Sequence, residues 1–172
     1  VFDTIVIASV LKDGLAMAAI YTLAQNMAGL IQAPQRAIIS SSIAPLSKAW
    51  KDKDMALIGR VYSRSSINLL IFSAAIFARI WLNFKDGVFT FHLNKDYLAA
   101  ATVFFYIGLM RIVDMGTGVS GQIIATSTKW RFDFITGIIL LLLTLPLNYL
   151  LTKRLGVTGP AIANLISFSI YN

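Results

Sequence analysis

A series of apolar runs, each about 20 residues long and nearly free of charged side chains, constrains this chain more than any other feature. A helix needs about 20 mainly apolar residues to cross the hydrocarbon core of a bilayer. Only 13% of the 172 residues are charged and 57% are hydrophobic, whereas soluble domains carry about 25% charged residues. So few charges cannot cover the surface of a soluble domain of this size. The composition therefore predicts an integral membrane protein.

The apolar runs also predict the fold class. Only helices and closed barrels satisfy every backbone group in lipid, and these runs lack the alternation of barrel strands. We therefore expect an all-α, polytopic transmembrane helix bundle of about six helices, in a single domain over residues 1–172. Because the first and last runs begin and stop within apolar sequence, we expect a fragment of a longer chain. The predicted segments are 1–11, 15–47, 66–84, 97–128, 133–152 and 158–172.

The connections between these segments differ in character. Residues 48–64 mix basic side chains with apolar ones at helical spacing, which predicts an amphipathic linker helix in the membrane interface. A solvated turn followed by an early start of the next helix is the alternative. Residues 83–97 surround Asp86 and Gly87 and are predicted to form a turn-rich loop.

Basic residues predict the orientation of the bundle. Seven lie in the 48–64 connection and at Lys129 and Arg131, against five in the opposite connections. By the positive-inside rule, the 48–64 linker is cytoplasmic. This topology accounts for the net charge of +7. No compact basic-aromatic module predicts a nucleic-acid partner.

Polar side chains within the predicted segments are the candidate functional residues. Arg111 and Asp114 would each cost about 2.5 to 3.5 kcal/mol if they faced lipid at the middle of the fourth segment. At about 100° per residue, they share one helical face with Gly118 and Gln122. We therefore expect one uninterrupted helix over 97–128 whose polar face contacts protein or water.

The second predicted segment carries a longer polar stripe. It contains Pro34, which predicts a kink and leaves backbone carbonyls for neighbours or water. A kinked helix with an inward polar face is typical of a transport path. The third segment adds Asn68 and Arg79 on one face. The polar residues of the stripe are Thr22, Gln25, Gly29, Gln32, Arg36 and Ser40.

These residues also have structural alternatives. Arg111 and Asp114 can neutralise each other as an i, i+3 pair, and Arg36 can extend to an interface. The amides can serve only as hydrogen bonds between helices. That last alternative applies to Gln25, Gln32 and Gln122.

The residue types that most enzymes use are scarce. The chain has no Cys, no Glu and a single His, His92, which lies in a predicted loop. No Ser-His-Asp arrangement and no metal-ligand spacing can be built from these residues. We therefore predict a non-enzymatic protein without a metal or cofactor.

Four stretches resemble one protein family over nearly the whole chain. They are "YTLAQNMAGLIQAPQRAIISSSIAPLSKAWKDKD", "RVYSRSSINLLIF", "RIVDMGTGVSGQIIATSTKWRF" and "PLNYLLTKRLGVTGPAIANLIS". The chain is similar to polysaccharide biosynthesis proteins, the Wzx-like oligosaccharide flippases of the multidrug/oligosaccharidyl-lipid/polysaccharide exporter superfamily. Pro160 departs from the small residue that is common there.

The resemblance implies a two-lobe flippase of which this chain is most of the C-terminal lobe. Its partners would be the N-terminal lobe of the same chain, membrane lipid and the cargo, an undecaprenyl-diphosphate-linked oligosaccharide. The cargo would cross the bacterial inner membrane for the synthesis of O-antigen, capsule or exopolysaccharide. The alternatives are a drug/cation antiporter of the same superfamily and a membrane scaffold that does not transport.

On this hypothesis the polar stripes bind the cargo. Guanidinium groups suit phosphate oxygens because their planar donors bind two at once, so Arg36 and Arg111 are the expected diphosphate contacts. Asp114 would hold Arg111 in place and carry a coupling proton. The remaining candidate cargo-binding residues are Gln25, Gln32, Asn68, Arg79 and Gln122.

Overall fold

Eight α-helices occupy most of the computed structural model, which describes residues 2–90, 92 and 95–172. Short 3-10 turns at Lys95–Leu98 and Gly156–Thr158 precede the fifth and eighth helices. No strand occurs within the described residues, which confirms the predicted all-α bundle. The helices are α1 Phe2–Val10, α2 Gly14–Gly29, α3 Ala33–Asp52, α4 Met55–Thr90, α5 Ala99–Gly116, α6 Ser120–Ala125, α7 Trp130–Leu155 and α8 Gly159–Tyr171.

Several helices are long and apolar enough to cross a membrane. In the described residues these are α4, α5 and the stretch Trp130–Tyr171, which begins with α7. α2 and α3 add a fourth candidate if the two, bent by 51°, form one broken span. These lengths and compositions support a membrane protein.

α8 turns back along α7 instead of extending it. The Tyr171 hydroxyl donates a hydrogen bond to Asp133 Oδ1 at 3.5 Å, although the two residues are 38 apart in sequence. In one continuous helix they would be separated by about 57 Å. Gly159 permits this reversal, because a Cβ there would lie 2.4 Å from the backbone of Leu151. The two helices are therefore an antiparallel hairpin.

α5 is the central helix of the bundle and packs against α2, α4 and α8. Its Val103, Phe104 and Ile107 are buried in a single apolar core with Tyr21 and Ile31. Lipid tails are as apolar as these side chains, so close packing stabilises the helix contacts more than transfer from water does. α5 therefore holds its polar C-terminal residues at a fixed place in the bundle.

The chain reverses between α3 and α4 without a separate linker helix. Residues 48–52 end α3, Lys53 adopts a left-handed conformation with φ 55°, and α4 begins at Met55. The Asp54 carboxylate accepts a hydrogen bond from the Leu57 backbone N–H at 2.9 Å and so caps α4. The structure thus contains the alternative, a turn followed by an early helix start. The cytoplasmic location of 48–64 remains a prediction.

The predicted loop at 83–97 begins later than expected. Asp86 and Gly87 lie inside α4, which continues to Thr90. Phe84 and Val88 on this last part of α4 are buried in the main core, so tertiary packing overrides the turn preference of an Asp-Gly pair. Of the predicted loop, residues 91, 93 and 94 lie outside the described residues.

The predicted single helix over 97–128 is wrong. α5 ends at Gly116, Gly118 takes a positive φ of 64°, and α6 begins at Ser120. Serines of α4 bind the backbone groups released by this break. Ser66 Oγ donates to the Gly116 carbonyl, and Ser65 Oγ accepts from the Val119 N–H at 3.3 Å. Arg111 therefore lies within the last two turns of a shorter helix.

The predicted kink of the second segment is present as a full break. α2 ends at Gly29, α3 begins at Ala33, and their axes differ by 51°. Pro34 lies in the first turn of α3, where its missing N–H leaves no helical hydrogen bond unmade.

Gly118→Ala is expected to lower the unfolding temperature of the full-length protein, and Gly121→Ala is its control. A Cβ at residue 118 would lie 2.7 Å from Ser65 Oγ and 2.8 Å from the Ser66 backbone nitrogen, at a φ that alanine rarely adopts. The expected cost is about 2 to 3 kcal/mol. A Cβ at residue 121 would have no heavy atom within 4 Å. Thermal unfolding in detergent measures the stability of the two variants. Equal unfolding temperatures for Gly118→Ala and Gly121→Ala would contradict the packing at this break.

Candidate functional site

A polar cavity of about 480 Å³ opens beside the break between α5 and α6. The start of α7 and the end of α8 form its other wall, because the antiparallel hairpin brings Asp133 and Tyr171 side by side. Its volume is within the range of small-molecule sites. Its polar lining includes Gln35, Asp114, Gln122, Asp133, Thr136 and Tyr171.

Asp114 lies where the bent helix pair meets the end of α5. The carboxamides of Gln32 and Gln35 interact with its half-buried carboxylate. No ion pair with an N–O distance of 4.0 Å or less joins it to Arg111, and both residues belong to the described part of the chain. Asp114 therefore has two amide neighbours, Gln32 at the α2–α3 break and Gln35 on α3.

Arg111 has charged and phenolic neighbours on three helices. It interacts electrostatically with Asp114, Tyr21 and Asp3, and its Nε is buried without a hydrogen-bond partner. It does not line the polar cavity. Arg111 and Asp114 attract each other electrostatically without a salt bridge of 4.0 Å or less. The expected role of Asp114 in holding Arg111 stays a prediction.

The structure brings together only part of the predicted cargo-binding set. Asp114 and Gln122 line the polar cavity. Gln32 does not line it, but its carboxamide interacts with Asp114. Gln25 is half-buried on α2, away from the cavity lining, and Asn68 is exposed on α4. Arg36 is also exposed and outside the lining.

Arg79 belongs to a second, apolar groove of about 390 Å³ between α2 and α4. Its neighbour Asn83 donates a hydrogen bond to the Arg79 carbonyl at 2.7 Å. The rest of this groove is lined mainly by hydrocarbon side chains, so Arg79 and the polar cavity are separate sites. The apolar lining residues are Leu23, Met27, Ile80, Phe84 and Val88.

Arg36 lies on an exposed polar face of α3. Ser40, Ser41 and Ser47 are exposed on the same helix. The Ser40 and Ser41 hydroxyls donate to carbonyls of α3 itself. An arginine is costly against lipid tails, so in a membrane Arg36 needs contact with water or protein.

A half-buried carboxylate that the sequence pattern does not single out joins four helices. Asp3 of α1 accepts hydrogen bonds from the Tyr21 hydroxyl at 2.7 Å, from Asn148 Nδ2, and from Asn164 Nδ2 at 2.8 Å. Tyr21 and Asn148 are fully buried. Thr152 extends the cluster by donating to the Asn148 carbonyl at 2.7 Å. We call these residues the Asp3 network.

One signal in the sequence could have revealed the Asp3 network. Asp3, Asn148 and Asn164 are isolated polar residues within apolar runs, which is the same feature that makes Arg111 and Asp114 candidates. Their partners are far away in sequence, up to 161 residues for Asn164. No helical spacing can therefore predict the pairing.

The described residues contain no group of three or more His, Cys, Asp or Glu side chains that could hold a metal ion. The polar side chains that line the cavity carry carboxylates, amides and hydroxyls. Comparisons with protein-family models, with curated proteins and with solved structures found no match to this chain.

Proposed function

We propose that this chain is part of a flippase that moves undecaprenyl-diphosphate-linked oligosaccharide across the bacterial inner membrane for polysaccharide biosynthesis. The observation that carries the proposal is a polar cavity among apolar helices, beside the α5–α6 break and lined on another side by Gln35 of α3. Polar residues among membrane helices are costly and are typical of substrate pathways. The resemblance to oligosaccharide flippases supplies the cargo class.

In this proposal α3 faces the central space between two lobes. Its exposed Arg36 and serines would then contact water and the charged part of the cargo instead of lipid. The basic residues around the α3–α4 turn favour a cytoplasmic location for that end, which sets the direction of transport outward.

A drug/cation antiporter is the second candidate. Asp114 and Asp133 both line the cavity, and no Lys or Arg of the described chain does so. A site with this charge attracts a cation. Binding to the full-length protein distinguishes the two candidates. A flippase binds undecaprenyl diphosphate, whereas an antiporter binds an organic cation.

Cysteine labelling tests the proposal against a scaffold role. The segment has no Cys, so Gln122→Cys and Thr136→Cys can be introduced into the full-length protein after any cysteine elsewhere is removed. We expect a membrane-impermeant maleimide to label both, with protection by the lipid-linked oligosaccharide. The control is Leu142→Cys, which is 64% exposed on the apolar surface of α7 and would face lipid. Absence of labelling at residues 122 and 136 would favour the scaffold.

A further inference from the structure

The cavity has the wrong charge for the most highly charged part of the proposed cargo. Asp114 and Asp133 are acidic, and no Lys or Arg from the described residues lines the cavity. A diphosphate bound in this cavity would be repelled by both carboxylates.

The same lining suits a sugar. Carboxylates accept hydrogen bonds from hydroxyls, and the carboxamides of Gln35 and Gln122 both donate and accept. Thr136 adds a hydroxyl, and the aromatic residues Phe132 and Tyr171 also line the cavity. Several convergent polar groups with aromatic side chains match a ring that carries hydroxyls on its edge and C–H groups on its faces.

One cationic side chain for the diphosphate follows a cavity residue directly in sequence. Gln35 lines the cavity, and the next residue, Arg36, is exposed on α3. Successive residues on a helix point about 100° apart, so the two side chains diverge from neighbouring positions. A cargo can thus place its sugar inside and its diphosphate just outside.

We propose that the cavity between the α5–α6 break and the α7–α8 hairpin binds a sugar residue of the cargo, while the diphosphate lies outside it against Arg36. This inference rests on the proposed flippase function and assigns the cavity to the carbohydrate part of the substrate.

Binding to the purified full-length protein in nanodiscs tests the assignment with two probes. One is the lipid-linked oligosaccharide extracted from the host strain, and the other is undecaprenyl diphosphate without sugar. Asp133→Asn, Gln122→Ala and Thr136→Val change the cavity lining. Asp86→Asn is the matched control, because Asp86 is exposed on α4 and outside the cavity.

We expect each cavity substitution to raise the Kd for the lipid-linked oligosaccharide about tenfold. The Kd for undecaprenyl diphosphate should stay unchanged, which also shows that the variants are folded. Arg36→Ala should weaken binding of both probes. An equal loss for both probes in the cavity variants would overturn the sugar assignment. If the wild-type protein binds neither probe, the proposed flippase function fails, and this inference fails with it.

Discussion

Asp3→Ala is expected to destabilise the full-length protein by about 3 to 5 kcal/mol, more than the loss expected for Gly118→Ala. The Asp3 carboxylate accepts hydrogen bonds from Tyr21, Asn148 and Asn164, which belong to three other helices. Alanine would leave the Tyr21 hydroxyl and the Asn148 amide without this acceptor in a buried region, and Asn164 would keep only its longer hydrogen bond to the Tyr21 hydroxyl at 3.4 Å. It would also remove a carboxylate that interacts electrostatically with Arg111.

Thermal and denaturant unfolding in detergent measure this effect. The control is Asp13→Ala, since Asp13 is exposed and its side chain makes no capping hydrogen bond. A triple variant in which Asp3, Asn148 and Asn164 all become leucine should recover part of the loss, because fewer donors are then stranded. If Asp3→Ala unfolds like the wild-type protein, the Asp3 network does not hold the helices together.

The stability losses of Arg111→Ala and Asp114→Ala are expected to add in the double variant, without compensation. If the two residues formed a buried ion pair, removing either partner would lower the stability by about 3 to 5 kcal/mol. The double substitution would then restore most of that stability. Here no ion pair within 4.0 Å joins the two residues. We therefore expect a coupling energy below about 1 kcal/mol in the double-mutant cycle.

The same variants report on function. Asp114 lines the cavity, so Asp114→Ala should reduce polysaccharide export at least about 100-fold, and the double variant should export no better. Export by cells that lack the chromosomal copy measures this, with membrane abundance determined in parallel. Recovery of both abundance and export in the double variant would show that the two residues act as a pair after all.

The fold class could be predicted from the sequence, whereas the helix ends could not. Apolar runs of about 20 residues leave few alternatives to membrane helices, and the structure contains such helices. The end of α5 depends on Gly118 and on two serines of α4 that bind the released backbone groups. Tertiary contacts therefore decide where α5 ends. Lys53 takes a left-handed conformation that a lysine rarely adopts, and local backbone hydrogen bonds to Trp50 and Ala49 close α3 there.

The candidate site could be predicted only in part for a related reason. Asp114 and Gln122 are polar residues in an apolar run, and placing them against lipid is costly, which makes them candidates. Both line the cavity. Asp133 carries no such signal because it lies at the start of α7, close to a predicted connection. It reaches the cavity only because α8 folds back along α7 and because α5 stops at Gly116.

The Asp3 network has a consequence for the order of events at the ribosome. Asp3 and Tyr21 are synthesised almost together, but Asn148 follows Asp3 by 145 residues. At about 5 to 20 residues per second, this donor emerges about 7 to 30 s later. Until then the Asp3 carboxylate has an incomplete set of donors. A nascent chain that stops before α7 would lack the Asn148 and Asn164 donors permanently. We expect membrane quality control to recognise such a chain by its unsatisfied carboxylate.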